Sequence, residues 1–161
     1  MAKKKPARPA RVISGGQTGA DRGGLDAAIE LGIPHGGWCP RGRRAEDGRI
    51  PPKYRLKETP TSRYPERTER NVLAADGTVV FTFGPAERGS ALTLALAAKH
   101  GKPALHVDLD VLGEAEAVDR LRAWLAGTGT AILNVAGSRE GGAPGLRERV
   151  WRIVKAAFAP S

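Results

Sequence analysis

The sequence predicts one α/β domain built on a mostly parallel sheet. Two observations carry this reading. Short β-branched or apolar runs alternate with longer amphipathic ones from residue 11 to the end, the pattern of strands joined by crossover helices. The 161 residues show no internal repeat and no composition break after the first ten, so they suit a single core.

The elements follow in order. "RVIS" reads as a short buried strand, and "ADRGGLDAAIELG" as a helix with Leu25, Ala28 and Ile29 on its apolar face and Gly32 as its C-terminal cap. "HGGWC" reads as a short extended piece. Residues 40–64 are rich in Pro, Gly and charge without periodicity, and so read as a long loop, either a solvated flap or a functional one. "PERTERNVLAAD" reads as a helix with Pro65 in its first turn. "GTVVFTFG" is a strand stopped at Gly84-Pro85, and "RGSALTLALAAKHG" a helix apolar on most faces, hence expected to be well buried. "KPALHVDL" and "TAILNVAG" are strands flanking the helix of "GEAEAVDRLRAWLAG". A last helix presents Leu146, Val150, Ile153 or Val154, and Phe158.

Charge and composition exclude several classes. No run of about 18 apolar residues spans a membrane, and no apolar segment follows the basic start as a secretory signal would require. The single cysteine, Cys39, forms no intrachain disulfide, which fits a reducing cytoplasm. Of the formal charge of +9, five basic groups fall in the first eleven residues with no acid among them. Residues 1–10 therefore read as a disordered basic tail, attracting nucleic acid at most nonspecifically, and 11–161 as the domain.

In a parallel α/β sheet, ligands bind beyond the carboxyl ends of the strands. The segments expected to converge are "SGGQTGADR", "GPAERGSALT", "DLD" and "NVAGSREGGAPG", since each follows a strand. In the first, Gly15, Gly16 and Gly19 let the backbone approach a ligand, and the helix that begins near Thr18 to Asp21 turns its free amides toward an anion. Gln17 lies in the same turn, Arg22 would add a charge-assisted bond to a phosphate, and Thr18 with Asp21 resembles a capping arrangement. The bland alternative is a tight strand-to-helix turn and nothing more. The spacing fits neither the dinucleotide nor the Walker fingerprint. The second turn repeats the device with Gly89, Ser90 and Thr93, and Asn134 offers a donor and an acceptor at a third strand end. Arg41 and Arg44 of the long loop are candidates to fold over a ligand, and Arg67 and Asn71 share one helix face that points to the site or to water. His35 and Cys39 have no further residues at metal-ligand spacing, so no metal site is expected.

Four runs carry a resemblance: "ISGGQTGADRGGLDAAIELGIPHGGWCPRGRRAEDGRIP", "ETPTSRYPERTERNV", "RGSALTLALAAKHGKPALHVDL" and "LNVAGSREGGAPG". They resemble the putative molybdenum carrier family, related to the lysine-decarboxylase-like (LOG) and DNA-processing protein A superfamily. The resemblance implies a Rossmann-like three-layer domain and a homo-oligomer. It also implies a carrier with a pocket for a phosphorylated ligand, molybdenum cofactor (molybdopterin) or a related nucleotide. The same superfamily holds hydrolases that split nucleoside monophosphates, whose second turn reads P-G-G-x-G-T-x-x-E. Here Ser90 stands at the threonine and Thr93 at the glutamate, so the acid those hydrolases use is missing at that place.

Overall fold

The computed structural model describes residues 8–160. Strand β1 (Arg11–Ile13) runs through the first glycine turn into helix α1 (Ala20–Leu31), which ends on Gly32 in a left-handed conformation. Strand β2 (His35–Gly36) follows, then β3 (Trp38–Cys39), a hairpin of β4 (Arg44–Ala45) and β5 (Gly48–Arg49), and β6 (Lys57–Glu58). Helix α2 (Tyr64–Ala74) leads to β7 (Gly77–Thr82), α3 (Arg88–Lys99), β8 (Ala104–Asp108), α4 (Glu114–Thr128) and β9 (Ile132–Gly137). A single 3-10 turn at Glu140–Gly142 precedes α5 (Leu146–Phe158).

The main sheet has five strands in the order β2-β1-β9-β7-β8, every pair parallel. The chain leaves β1 toward β2 on one side and β7 toward β8 on the other, with β9 inserted last between them. Right-handed crossovers therefore place α1 and α3 on opposite faces. Helices α1, α4 and α5 pack together on one face, and α2 packs with α3 on the other.

Alternation along each strand divides the work of the two faces. Val12, Val79, Phe81, Val107, Leu133 and Val135 form the main core with Leu121, Leu146, Val150, Ile153 and Phe158. The other face carries Thr78, Thr82, His106 and Asn134 at intervening positions. These satisfy one another: Asn134 Nδ2 donates to Thr78 Oγ1 at 3.3 Å, and Thr82 Oγ1 lies 2.7 Å from His106 Nε2. The apolar face beneath α1 is tightly closed. A Cβ at Gly24 would lie 2.6 Å from Val135, and one at Gly23 2.6 Å from the Arg147 carbonyl, so helical glycines here allow close packing.

Two expectations are corrected. Residues 40–64 are no solvated flap: β3 pairs with β6, and Ile50 and Tyr54 are wholly buried in a second small core with Leu25 and Cys39. Tyr54 donates to Asp26 at 2.6 Å while Arg147 donates to the Tyr54 hydroxyl at 2.9 Å, which fastens this segment to α1 and α5. Second, α3 is not well buried. Only Ser90, Thr93 and Ala97 are, and Ala91, Ala95 and Ala98 are exposed, because the sheet face beneath α2 and α3 mixes Thr78, Thr82, His106 and Asn134 with Val80 and gives way to a cavity. Most of the basic tail lies outside the described residues. Its last part is tied down, Arg8 donating to the Leu31 carbonyl at 2.9 Å and Ala10 N–H to Ala131 at 2.8 Å.

Candidate functional site

A cavity of about 690 Å³ opens at the carboxyl ends of β1, β9 and β7, where the chain leaves the sheet in opposite directions. Of the residues expected from sequence, Gly15, Gln17 and Asp21 border it from the first turn, Arg67 and Asn71 from α2, Gly89, Ser90 and Thr93 from α3, and Asn134 from β9. Three of the four segments expected to converge, "SGGQTGADR", "GPAERGSALT" and "NVAGSREGGAPG", do so, and "DLD" does not border the cavity.

The first turn works differently from the expectation. Gly19, at φ 81°, sits under the Ser138–Glu140 backbone, and a Cβ there would lie 2.3 Å from the Ser138 carbonyl. Ala20 N–H donates to that carbonyl at 3.2 Å. Thr18 makes no cap; its hydroxyl donates to Glu46, which also accepts from Gly141 N–H at 2.9 Å. The opening of α1 is thus covered by protein, and neither Thr18, Gly16 nor Gly19 borders the cavity.

Arg22 is the clearest correction. Its guanidinium grips Asp47 through two bonds of 2.6 and 2.8 Å and the Gly16 carbonyl at 3.0 Å, and it does not border the cavity. Its charge holds the 40–59 segment against α1. Nor do Arg41 and Arg44 reach the cavity wall; both are exposed, and Arg44 donates to the Tyr64 hydroxyl at 3.2 Å. Asn71 does border the cavity, but its amide is committed to the backbone of Trp38, accepting from the N–H at 2.8 Å and donating to the carbonyl at 2.9 Å. Cys39 is fully buried and burial pushes its thiol pKa up, which makes it a packing residue.

The inner end of the cavity holds a buried ion pair, Arg67 to Asp21 at 3.1 Å. Burial raises the Asp21 pKa to about 6, against the opposing pull of Arg67 and the Gln17 N–H. Asp21 Oδ2 takes both of those bonds. Beside them, Gln17 Oε1 accepts from the Thr18 and Glu46 N–H groups, which fixes the orientation of its amide. Among the described residues, its Nε2 and the Nε of Arg67 are then fully enclosed donors without an acceptor. Such orphans are costly unless something supplies the missing acceptor.

The facing wall is the start of α3. Arg88 enters it at φ 49°, a strained conformation for a residue with a Cβ, and Ser90 is buried at the cavity edge. The Thr93 hydroxyl donates back to Gly89 at 2.8 Å. Residues that sequence reasoning did not single out complete the rim. Tyr64 borders the cavity, and the guanidinium carbons of Arg44, Arg139 and Arg67 lie 4.5, 4.8 and 5.5 Å from its ring centre. Arg139 belongs to a segment expected to converge, and could have been found there. Tyr64 carried no signal, since an aromatic at a helix start is ordinary. Among the described residues no three His, Cys, Asp or Glu side chains gather as a metal site would require, and no helix is long and apolar enough to cross a membrane.

A parallel sheet with helices on both faces and a polar cavity at the carboxyl ends of its central strands defines a Rossmann-like α/β domain. The model of the Circularly permutated YpsA SLOG family matches residues 12–158, and the chain belongs to that family. It is similar over 97% of its length, at 45% identity, to a crystal structure described as "Putative molybdenum carrier protein" from Syntrophus aciditrophicus SB. That match covers 98% of the other chain with a TM-score of 0.94, in line with the family resemblance read from the four sequence runs. No curated protein matches the chain.

Proposed function

We propose that this protein is a carrier that holds a phosphorylated small molecule, a molybdopterin-type cofactor or a related nucleotide derivative, in the cavity between its two glycine turns. One observation carries the reading: the cavity is bordered by the cationic side chains of Arg67, Arg88 and Arg139 with Gln17, and faces the open N-terminus of α3. An anionic group on the ligand answers those positive charges and the free amides of the helix end. The volume of about 690 Å³ lies within the range usual for cofactor sites. The name of the similar Syntrophus aciditrophicus protein supports the same reading. Thr93 at the cavity edge, where the related hydrolases place an acid, favours holding over cleavage. The exposed alanine side of α3 suits a homo-oligomer, checked by light scattering, and the lone buried cysteine suits a cytoplasmic setting.

The test starts from native protein, identifying by mass spectrometry the small molecule that co-purifies. Calorimetry then compares the unaltered protein with Arg67→Ala, where losing a charged hydrogen bond should cost about 1.5–3 kcal/mol, roughly tenfold or more in affinity. A native protein with no phosphorylated companion, and no heat with nucleoside monophosphates or molybdopterin, would sink the carrier reading. Release of free base from nucleoside monophosphates would turn it into a hydrolase.

A further inference from the structure

The carrier reading leaves open which kind of anion the cavity accepts, and the inner end answers this with an unusual mixture of groups. Arg67 and Gln17 border it, a cation and an amide suited to an anion. Between them stands Asp21, a carboxyl only 4% exposed that also borders the cavity. Its Oδ2 is occupied by Arg67 and the Gln17 N–H, and no hydrogen bond to Oδ1 is formed among the described residues. An anion seated on Arg67 therefore lies against a carboxylate oxygen.

Two bare negative charges do not share such a place, because each raises the cost of ionising the other in a site shielded from water. One proton between them removes the conflict and makes a short, charge-assisted O–H···O bond. Resting on the carrier reading, we propose that Asp21 and the ligand's phosphate share one proton. The site would then select a phosphate monoester, which can carry that proton near neutral pH, and reject fully ionised tetrahedral oxyanions such as sulfate and free molybdate. The cargo would be held by its phosphate end at Arg67, Gln17 and Asp21, not by a bare metal oxyanion.

The charged surroundings fit. Arg67 from α2 and Arg22 from Asp21's own helix both lower the cost of its charge. Farther around the cavity wall stand Glu46 before β5, Glu87 and Arg88 at α3, and Arg139 after β9. Glu46 accepts from Thr18 and Gly141 and those bonds hold its pKa below the usual value, so it stays ionised and adds to the pressure against a dianion. Burial places the Asp21 pKa at about 6, close to the second ionisation of a phosphomonoester, so neither partner must be driven far to hold the shared proton.

The experiment titrates full-length protein with adenosine monophosphate and with inorganic phosphate, in two buffers of different ionisation enthalpy. At pH 8 the free carboxylate and the free phosphate are both ionised, so binding takes up close to one proton, and affinity falls about tenfold per pH unit above pH ~7. Sulfate and molybdate compete at least about tenfold less well than phosphate, as like-charge contact requires. In Asp21→Asn the proton uptake disappears, affinity no longer falls with pH, and sulfate binds about as well as phosphate. Should that variant not fold, the proton count of the unaltered protein decides alone. Phosphate binding with no buffer dependence, or displacement of it by equal sulfate or molybdate, overturns the inference and leaves the carrier reading standing. Absence of binding by any phosphate compound, with none in the native mass spectrum, overturns both.

Discussion

Arg67 and Asp21 form an ion pair at 3.1 Å with side chains only 11% and 6% exposed, joining the first turn of α1 to the first turn of α2 across 46 positions of sequence. The contact is made against Gly15, where a Cβ would fall 1.8 Å from Arg67 Nη1. A strand end, a helix start and a second helix thus meet on one charge pair at the floor of the cavity.

The burial of Asp21 makes stability depend on pH in a direction opposite to most carboxylates, against the pull of Arg67. The folded-state pKa of Asp21 is raised from 3.8 to about 6, so between these values the folded protein binds more protons than the unfolded chain. Stability from this group is full below about pH 4, falls as pH rises to about 6, and is then flat, a loss of about 3 kcal/mol. Denaturant unfolding from pH 4 to 7 should show the decline in the unaltered protein relative to Asp21→Asn. Parallel profiles for the two proteins would remove the effect.

Arg22→Ala should damage the fold before it touches the ligand. It removes the paired bonds to Asp47 and the bond to the Gly16 carbonyl from a side chain that is 4% exposed. The cost is expected at about 2–3 kcal/mol, discounted because Asp47 is half in water. Thermal melts measure it. Unchanged stability with lost ligand affinity would return Arg22 to the binding site.

Two glycine substitutions should separate grip from folding. At Gly15 the obstruction is side-chain atoms of Arg67 alone, so Gly15→Ala loses less stability than Gly19→Ala, the loss being that of the loosened Asp21 pair, and weakens ligand binding by displacing Arg67. At Gly19 the obstruction is backbone at 2.3 Å and φ is 81°, so Gly19→Ala destabilises strongly, by about 2 kcal/mol or more. Equal melting temperatures for the two variants would contradict this division.

Tyr54→Phe tests the clasp on residues 40–59. It deletes the hydroxyl that donates to Asp26 and accepts from Arg147, at a cost of about 1–2 kcal/mol. Hydrogen exchange should rise in that segment, while ligand affinity holds because Tyr54 does not border the cavity.

The sequence by itself determined the order of the main-sheet strands and of the α-helices, the parallel sheet, the capping of α1 by Gly32 and the buried stripe of α5. All of these follow from local periodicity and turn chemistry, which act over a few residues. It also pointed to both glycine turns as walls of one site, because every parallel strand delivers its following turn to the same edge. Only tertiary structure decided which charges serve the cavity. "SGGQTGADR" presents Asp21 and Arg22 as neighbours, yet Asp21 turns to Arg67 at the cavity floor and Arg22 turns away to Asp47. The partners lie 46 and 25 positions away, and no spacing rule connects them. The same holds for α3, apolar in sequence but half exposed, since its burial depends on the mixed sheet face that the register of β7, β8 and β9 places beneath it. Local chemistry sets what each segment can form, whereas the choice among competing ion-pair partners is made by burial and distance, which exist only once the chain has folded.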